Sequence, residues 1–168
     1  MARSLELVPA GFVVDDVHIE DHKVTVRARS ILGSSGCPGC GRLSTRVHSR
    51  YRRMVADLPT AGRQVSLEIV VRRFRCIRIN CRQRIFAERF EGDAVRSSAR
   101  RTDRLELIVH HLGLALSGRT GAGFSRRLML PVSNDTLLRT VRRRTRKHSD
   151  PVAVAGIGDW AYRRNHRY

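Results

Sequence analysis

Hydrophobic and polar residues alternate along the first half of the chain. Residues 12–31 form two such runs, FVVDDVHIE and KVTVRARSIL, with Asp21 and His22 between them, and this period of two predicts a β-hairpin. A second β-rich stretch follows. Thr45 to Met54 has strand character, Pro59 to Gly62 marks a turn, and between Gln64 and Phe74 the residues Val65, Leu67, Ile69 and Val71 fall on one face. Ile85 and Phe86 open a further short strand, ahead of an acidic, glycine-containing loop at Glu91 to Asp93.

From Arg101 the period changes to 3.6. Thr102 suits an N-cap, with Asp103 and Glu106 in the first turn, and Leu105, Ile108, Val109, Leu112, Ala115 and Leu116 share one face. Gly118 is expected to end this helix. The segment GRTGAG at 118–123 follows a helix and lacks a Lys-Ser/Thr pair, so it reads as an interhelical turn and not as a phosphate loop. A second helix is expected over about Thr120 to Met129, stopped by Pro131. Ser133 caps a third, with Leu137, Leu138 and Val141 as its buried stripe. Three helices with a tight turn before the last predict a helix-turn-helix. The tail PVAVAGI, at 151–157, has the character of a buried strand that begins another unit.

Composition sharpens this picture. With 168 residues, 41% of them hydrophobic but only 5% aromatic, the chain suits two small units with modest cores. Its formal charge of +18 divides into −1 over residues 1–36, +18 over 37–149 and +1 over 150–168, so the basic excess sits in the middle segment. A coding bias toward arginine explains why Arg far outnumbers Lys, but not why acids are scarce there. A polyanion partner explains both. No stretch approaches the roughly 20 apolar residues that span a bilayer, and MARSLELVPAGF lacks a signal-peptide core, so a cytoplasmic, nucleoid-associated location is expected.

In that compartment four cysteines favour metal ligation or free thiols over disulfides. Cys37 and Cys40 form CPGC, and Cys76 and Cys81 form C-x4-C, with 35 residues between the pairs and each pair next to a predicted strand end. Four thiolates on two knuckles can close a tetrahedral shell around a structural zinc ion. Two alternatives stay open: CPGC also has the form of a redox dithiol, and the cysteines could be unliganded. His48 and His110 read as ordinary surface or packing residues.

On a helical wheel the third helix carries Thr136, Arg139, Arg143, Arg146 and Lys147 opposite its apolar stripe, with Arg142 at the flank. Together with Arg126 and Arg127 on the preceding helix, this face is the expected contact with double-stranded DNA. Asn134, Asp135 and Thr136, at the helix start, approach base edges, while the arginines reach bases or phosphates. A solvated basic face is the bland alternative.

The motif order CPGCGRLSTRVHSRYRRMVADLP, VRRFRCIRINCRQRIFAER, RTDRLELIVHHLGLALSG, PVSNDTLLR and GIGDWAYRRNHRY resembles the N-terminal part of transposases of the ISL-three insertion-sequence family, from about residue 30 onward. The resemblance implies a zinc module, a helix-turn-helix that helps bind terminal inverted repeats, and a ribonuclease-H-like domain whose three carboxylates hold Mg²⁺ in a full-length relative. The cysteines match the family's metal positions. The family pattern places an acidic residue where Gly158 stands, and Asp159 beside it points to the opposite face of a strand.

The expected fold class is therefore α+β: a β-rich four-cysteine zinc module at 1–95, a three-helix helix-turn-helix domain at 96–149, and at 150–168 the first strand of a truncated ribonuclease-H-like domain. Catalytic residues are expected to be incomplete, so the chain alone should not cut DNA. Its expected partners are DNA and either a second copy or an intact transposase. A transcription regulator reusing the same modules is the alternative function. A nuclease completed by a second polypeptide through Asp159, and an RNA-binding zinc protein, are further readings.

Overall fold

A computed structural model describes residues 8–90 and 94–144. Predicted features at Glu91 to Asp93, Arg146, Lys147, the strand-like segment 151–157, Gly158 and Asp159 lie outside these residues. The fold is mixed α+β. Seven strands, β1 (Phe12–Ile19), β2 (Lys23–Ser30), β3 (Ser35–Gly36), β4 (Leu43–Ser44), β5 (Val47–Thr60), β6 (Arg63–Arg75) and β7 (Ile85–Ala87), precede three helices among the described residues: α1 (Asp103–Leu116), α2 (Gly118–Arg127) and α3 (Asn134–Arg144).

The main sheet runs in the order β1-β2-β6-β5, with β7 also on β6. The hairpin β1-β2 forms where alternation predicts it. β5 and β6 make a longer hairpin than expected, because its turn is tighter: Thr60 pairs with Arg63, and only Ala61 and Gly62, with φ of 47° and 70°, lie between the two strands. Two successive positive φ values match the right-handed twist of flanking strands, so Pro59 stays in β5. Val65, Leu67, Ile69 and Val71 are buried, as their alternation predicts, and with Val24, Val26, Ala28 and Val55 they form the sheet core.

β2 pairs with β6 in parallel, a non-local contact that no local pattern announces. It decides where the cysteines go. Parallel neighbours end at the same edge of the sheet, and each of these strands leads into one cysteine pair. Two motifs far apart in sequence are thereby brought together.

The helices dock at the other end of β5. Thr102 caps α1, its hydroxyl accepting from the Leu105 amide, as the sequence predicts. The same hydroxyl donates to Asp57, whose buried carboxylate also accepts from Arg104. Leu105, Val109, Leu130 and Leu137 make the helical core, with Ala56 and Leu58 from β5 packed on it.

Three expectations for the helices need correction. Gly118 does not end α1: Ser117, at φ 60°, is the break, and Gly118 opens α2, so GRTGAG is helix and not an interhelical turn. The reason is packing. A Cβ at Gly118 would overlap the Asn134 side chain, one at Gly121 would lie 3.0 Å from Leu137 Cδ1, and one at Gly113 would lie 2.7 Å from Val141 Cγ2. These glycines let α3 approach α1 and α2 closely. Second, α1 buries Glu106 and Gly113, while Ile108 and Ala115 are exposed. Third, α3 buries Leu137 and Thr140, with Val141 half-buried and Leu138 outside. Thr140 turns inward because Glu106 offers its hydroxyl a partner at 3.4 Å.

Candidate metal centre and basic cleft

Each cysteine pair sits in a turn that its backbone organises. Cys37 lies between β3 and β4, its carbonyl accepting from the amides of Cys40 (3.4 Å) and Gly41 (2.8 Å), and Gly41 takes the left-handed φ of 71° that this turn needs. Cys76 leaves β6, its amide donating to Arg84 O at 2.9 Å, and the Cys81 amide donates to Arg78 O at 3.2 Å. Gly39 packs beneath the opposite knuckle: a Cβ there would stand 3.1 Å from Gln83 Cβ and 3.4 Å from Cys81 Sγ. Phe74 and Phe86, stacked at 6.0 Å, and Val47 close the apolar floor.

The four sulfurs lie within 4.8 Å of one another, with Cys37 to Cys81 at 3.8 Å and Cys40 to Cys76 at 3.6 Å. Sulfurs at about 2.3 Å from a tetrahedral zinc stand about 3.8 Å apart, so the cluster has the size of a zinc shell. Both of these contacts run between the knuckles, as expected of sulfurs grouped around one shared ion.

The electrostatics agree. Burial opposes ionisation of Cys37, but the amides of Gly39 and Cys40 and neighbouring thiols more than offset it, bringing this thiol down to about 7. The Arg78 amide favours the Cys76 thiolate, yet burial and the other three sulfurs outweigh it and push that thiol up to about 12. Crowded thiols of this kind cannot all ionise unless a cation sits among them. These residues define a closed structural site of the zinc-ribbon kind, with four thiolates and no open position for substrate.

Comparison with known proteins agrees with that class. Residues 34–81, which hold all four cysteines, match the family described as the zinc-finger of transposase IS204/IS1001/IS1096/IS1165. No curated protein and no solved structure matches the chain. The match supports a transposase-related zinc fragment.

The described residues predicted to meet DNA differ in their surroundings. Arg126 and Arg127 are exposed on the last turn of α2, and Arg139 and Arg142 are exposed on α3. None of these four has an acidic partner among the described residues. Asn134 differs: its Oδ1 is buried over Gly118 and turned from solvent. Arg143 pairs with the buried Glu106, which also accepts from Arg101 Nε at 2.8 Å.

Thr136, Arg139, Thr140 and Arg143 line one wall of a cleft of about 550 Å³. The opposite wall is the loop Arg96 to Arg101, which no hydrophobic periodicity marks in the sequence. The available signal was RSSARR, a basic run set directly before a capped helix. Among the described residues no helix is long and apolar enough to cross a membrane.

Proposed function

We propose that this chain is a zinc-folded, DNA-binding part of a transposase of the insertion-sequence type, in which α2 and α3 act as a helix-turn-helix on double-stranded terminal inverted repeats. The observation that carries the reading is the match of the four-thiolate segment to a transposase zinc finger, joined in one chain to arginines that lack acidic partners. The zinc holds the knuckles and takes no part in chemistry. Thr136, Arg139 and Arg142 of α3, with Arg126 and Arg127 of α2, are the proposed contacts. Asn134 is left out because its oxygen is committed to the helix interface.

On this reading the boundary near residue 95 separates a zinc module from a DNA-binding unit. Residues 150–168 open the ribonuclease-H-like unit that the resemblance implies, and the working location is the nucleoid of the cytoplasm. A second copy or an intact transposase is the proposed protein partner.

The test is to measure zinc per chain in protein purified without chelator, and to titrate the same preparation against its flanking inverted repeats and against scrambled duplex over a salt series. One zinc with sequence-selective, salt-dependent binding supports the proposal. Folded protein without zinc, or equal affinity for both duplexes, overturns it.

A further inference from the structure

The cleft beside α3 has a feature that a free-standing recognition helix lacks: its second wall is fixed. Arg53 Nη2 donates to the carbonyls of Arg96 (2.9 Å) and Ala99, and the Ala56 amide donates to Arg100 O at 2.9 Å. The loop is thus fastened to β5 at three carbonyls. This anchoring also holds Ser98 at φ 60°, a conformation that L residues seldom adopt.

The charge in the cleft is unbalanced. Arg101 and Arg143 converge on one carboxylate, Glu106, and Arg96 pairs with Asp103 at 2.9 Å. Arg100 on the loop and Arg139 on the helix have no acidic partner among the described residues, although both line the same cleft. Burial lowers the pKa of Arg101, so its guanidinium is partly stripped of water and gains from a further anion. Thr136 and Ser97 add hydroxyl donors. Arginine forks and hydroxyls converging from two walls are suited to the tetrahedral oxygens of phosphate.

We infer that Arg100 and Arg139 form a two-walled phosphate clamp, so that the loop Arg96 to Arg101 binds the nucleic-acid backbone together with α3. This rests on the DNA-binding reading above and adds to it a named ligand group and a second binding element. The shared chemistry is phosphate, which a duplex backbone or a free polyphosphate could supply.

Two measurements on the full chain separate these sources. Pyrophosphate should raise the Tm of the wild type, and the rise should vanish in R100Q/R139Q and return in large part in R100K/R139K. For duplex DNA, R100Q and R139Q should each lower the slope of log affinity against log salt by about 1, and the pair should raise Kd roughly tenfold, equally for specific and scrambled sequence. For the pyrophosphate measurement alone, R126Q/R127Q, on α2 outside the cleft, serves as the comparison and should keep the rise in Tm. Zinc content and circular dichroism identify variants that fold.

A folded R100Q variant with an unchanged salt slope, beside an R139Q variant that loses binding, overturns the clamp and leaves α3 as an ordinary recognition helix. A wild type that responds to pyrophosphate but not to duplex keeps the clamp and removes the DNA reading. A Tm rise that survives in R100Q/R139Q overturns the clamp whatever the duplex result.

Discussion

At the scale of single residues, the most exacting positions are those where a neighbour leaves no room or no alternative partner. Gly39 is one. A methyl group there meets Gln83 Cβ at 3.1 Å and Cys81 Sγ at 3.4 Å, so it pushes apart the two knuckles that must converge on the metal. Gly39→Ala should weaken zinc retention against a competing chelator by about tenfold, in the range seen when the surroundings of metal ligands are disturbed. Asp57 is another: its side chain is fully buried and accepts from Thr102 Oγ1 at 2.7 Å and from Arg104 Nε at 2.8 Å. Asp57→Ala removes the acceptor of the buried Thr102 hydroxyl and should cost about 2 kcal/mol in denaturant unfolding. His110 carries a pH dependence. Burial, then Arg144 and His111, hold its pKa below the usual 6.5, and its Nε2 has no partner. The folded state therefore binds this proton less readily than the unfolded chain. Both states are neutral at high pH, and stability falls as pH drops below ~6.5. Wild-type Tm should decline more between pH 7.5 and pH 5.5 than that of His110→Gln, and parallel curves would show that His110 is not responsible.

Among the elements, the packing of α3 has the clearest test. Ala is better than Gly by about 1 kcal/mol inside a helix, so on propensity alone Gly113→Ala would stabilise α1. The Cβ would lie 2.7 Å from Val141 Cγ2 and 3.3 Å from Leu137 O, and the second contact is with backbone, which has little freedom to yield. Gly113→Ala should therefore destabilise by roughly 2 kcal/mol through overpacking, and Val141→Ala in the same chain should recover part of the loss. Additive losses in the double variant would mean that the two side chains do not meet. The same contacts show what the sequence could and could not disclose. Strands β2 and β6 were legible because each buries one face and alternates cleanly, and the caps at Thr102 and Ser133 were legible because capping is local. The start of α2 was not. Its glycines carry a turn signature, and their purpose depends on α3, which lies further along the chain. The inward turn of Thr140 was equally hidden, since it depends on Glu106. In the metal centre all four cysteines could be named from spacing, whereas the convergence of the two pairs rests on the parallel register of β2 and β6.

Taken as a whole, the molecule places its four-cysteine cluster and its helical core at opposite ends of one strand. β5 begins at Val47 on the floor of the thiolate cluster and reaches Ala56 and Leu58 in the helical core. At about 3.3 Å per residue these ends are roughly 30 Å apart. The zinc end has little apolar core of its own beyond Phe74, Phe86 and Val47, while the helices rest on Leu105, Val109, Leu130 and Leu137. Metal removal should therefore act unevenly. With a strong chelator, amide exchange should accelerate over residues 34–47 and 74–87, whereas Val109 and Leu137 in the helical core should keep most of their protection. The consequence for binding follows from the same separation. If the clamp and α3 supply the main phosphate contacts, the salt slope of the chelated protein should stay close to that of the zinc form, even as its Tm falls. A slope that collapses on chelation, with helical protection intact, would move the principal DNA contact to the knuckles. There Ile79 stands 82% exposed between Arg78 and Arg82, and it would become the next residue to substitute.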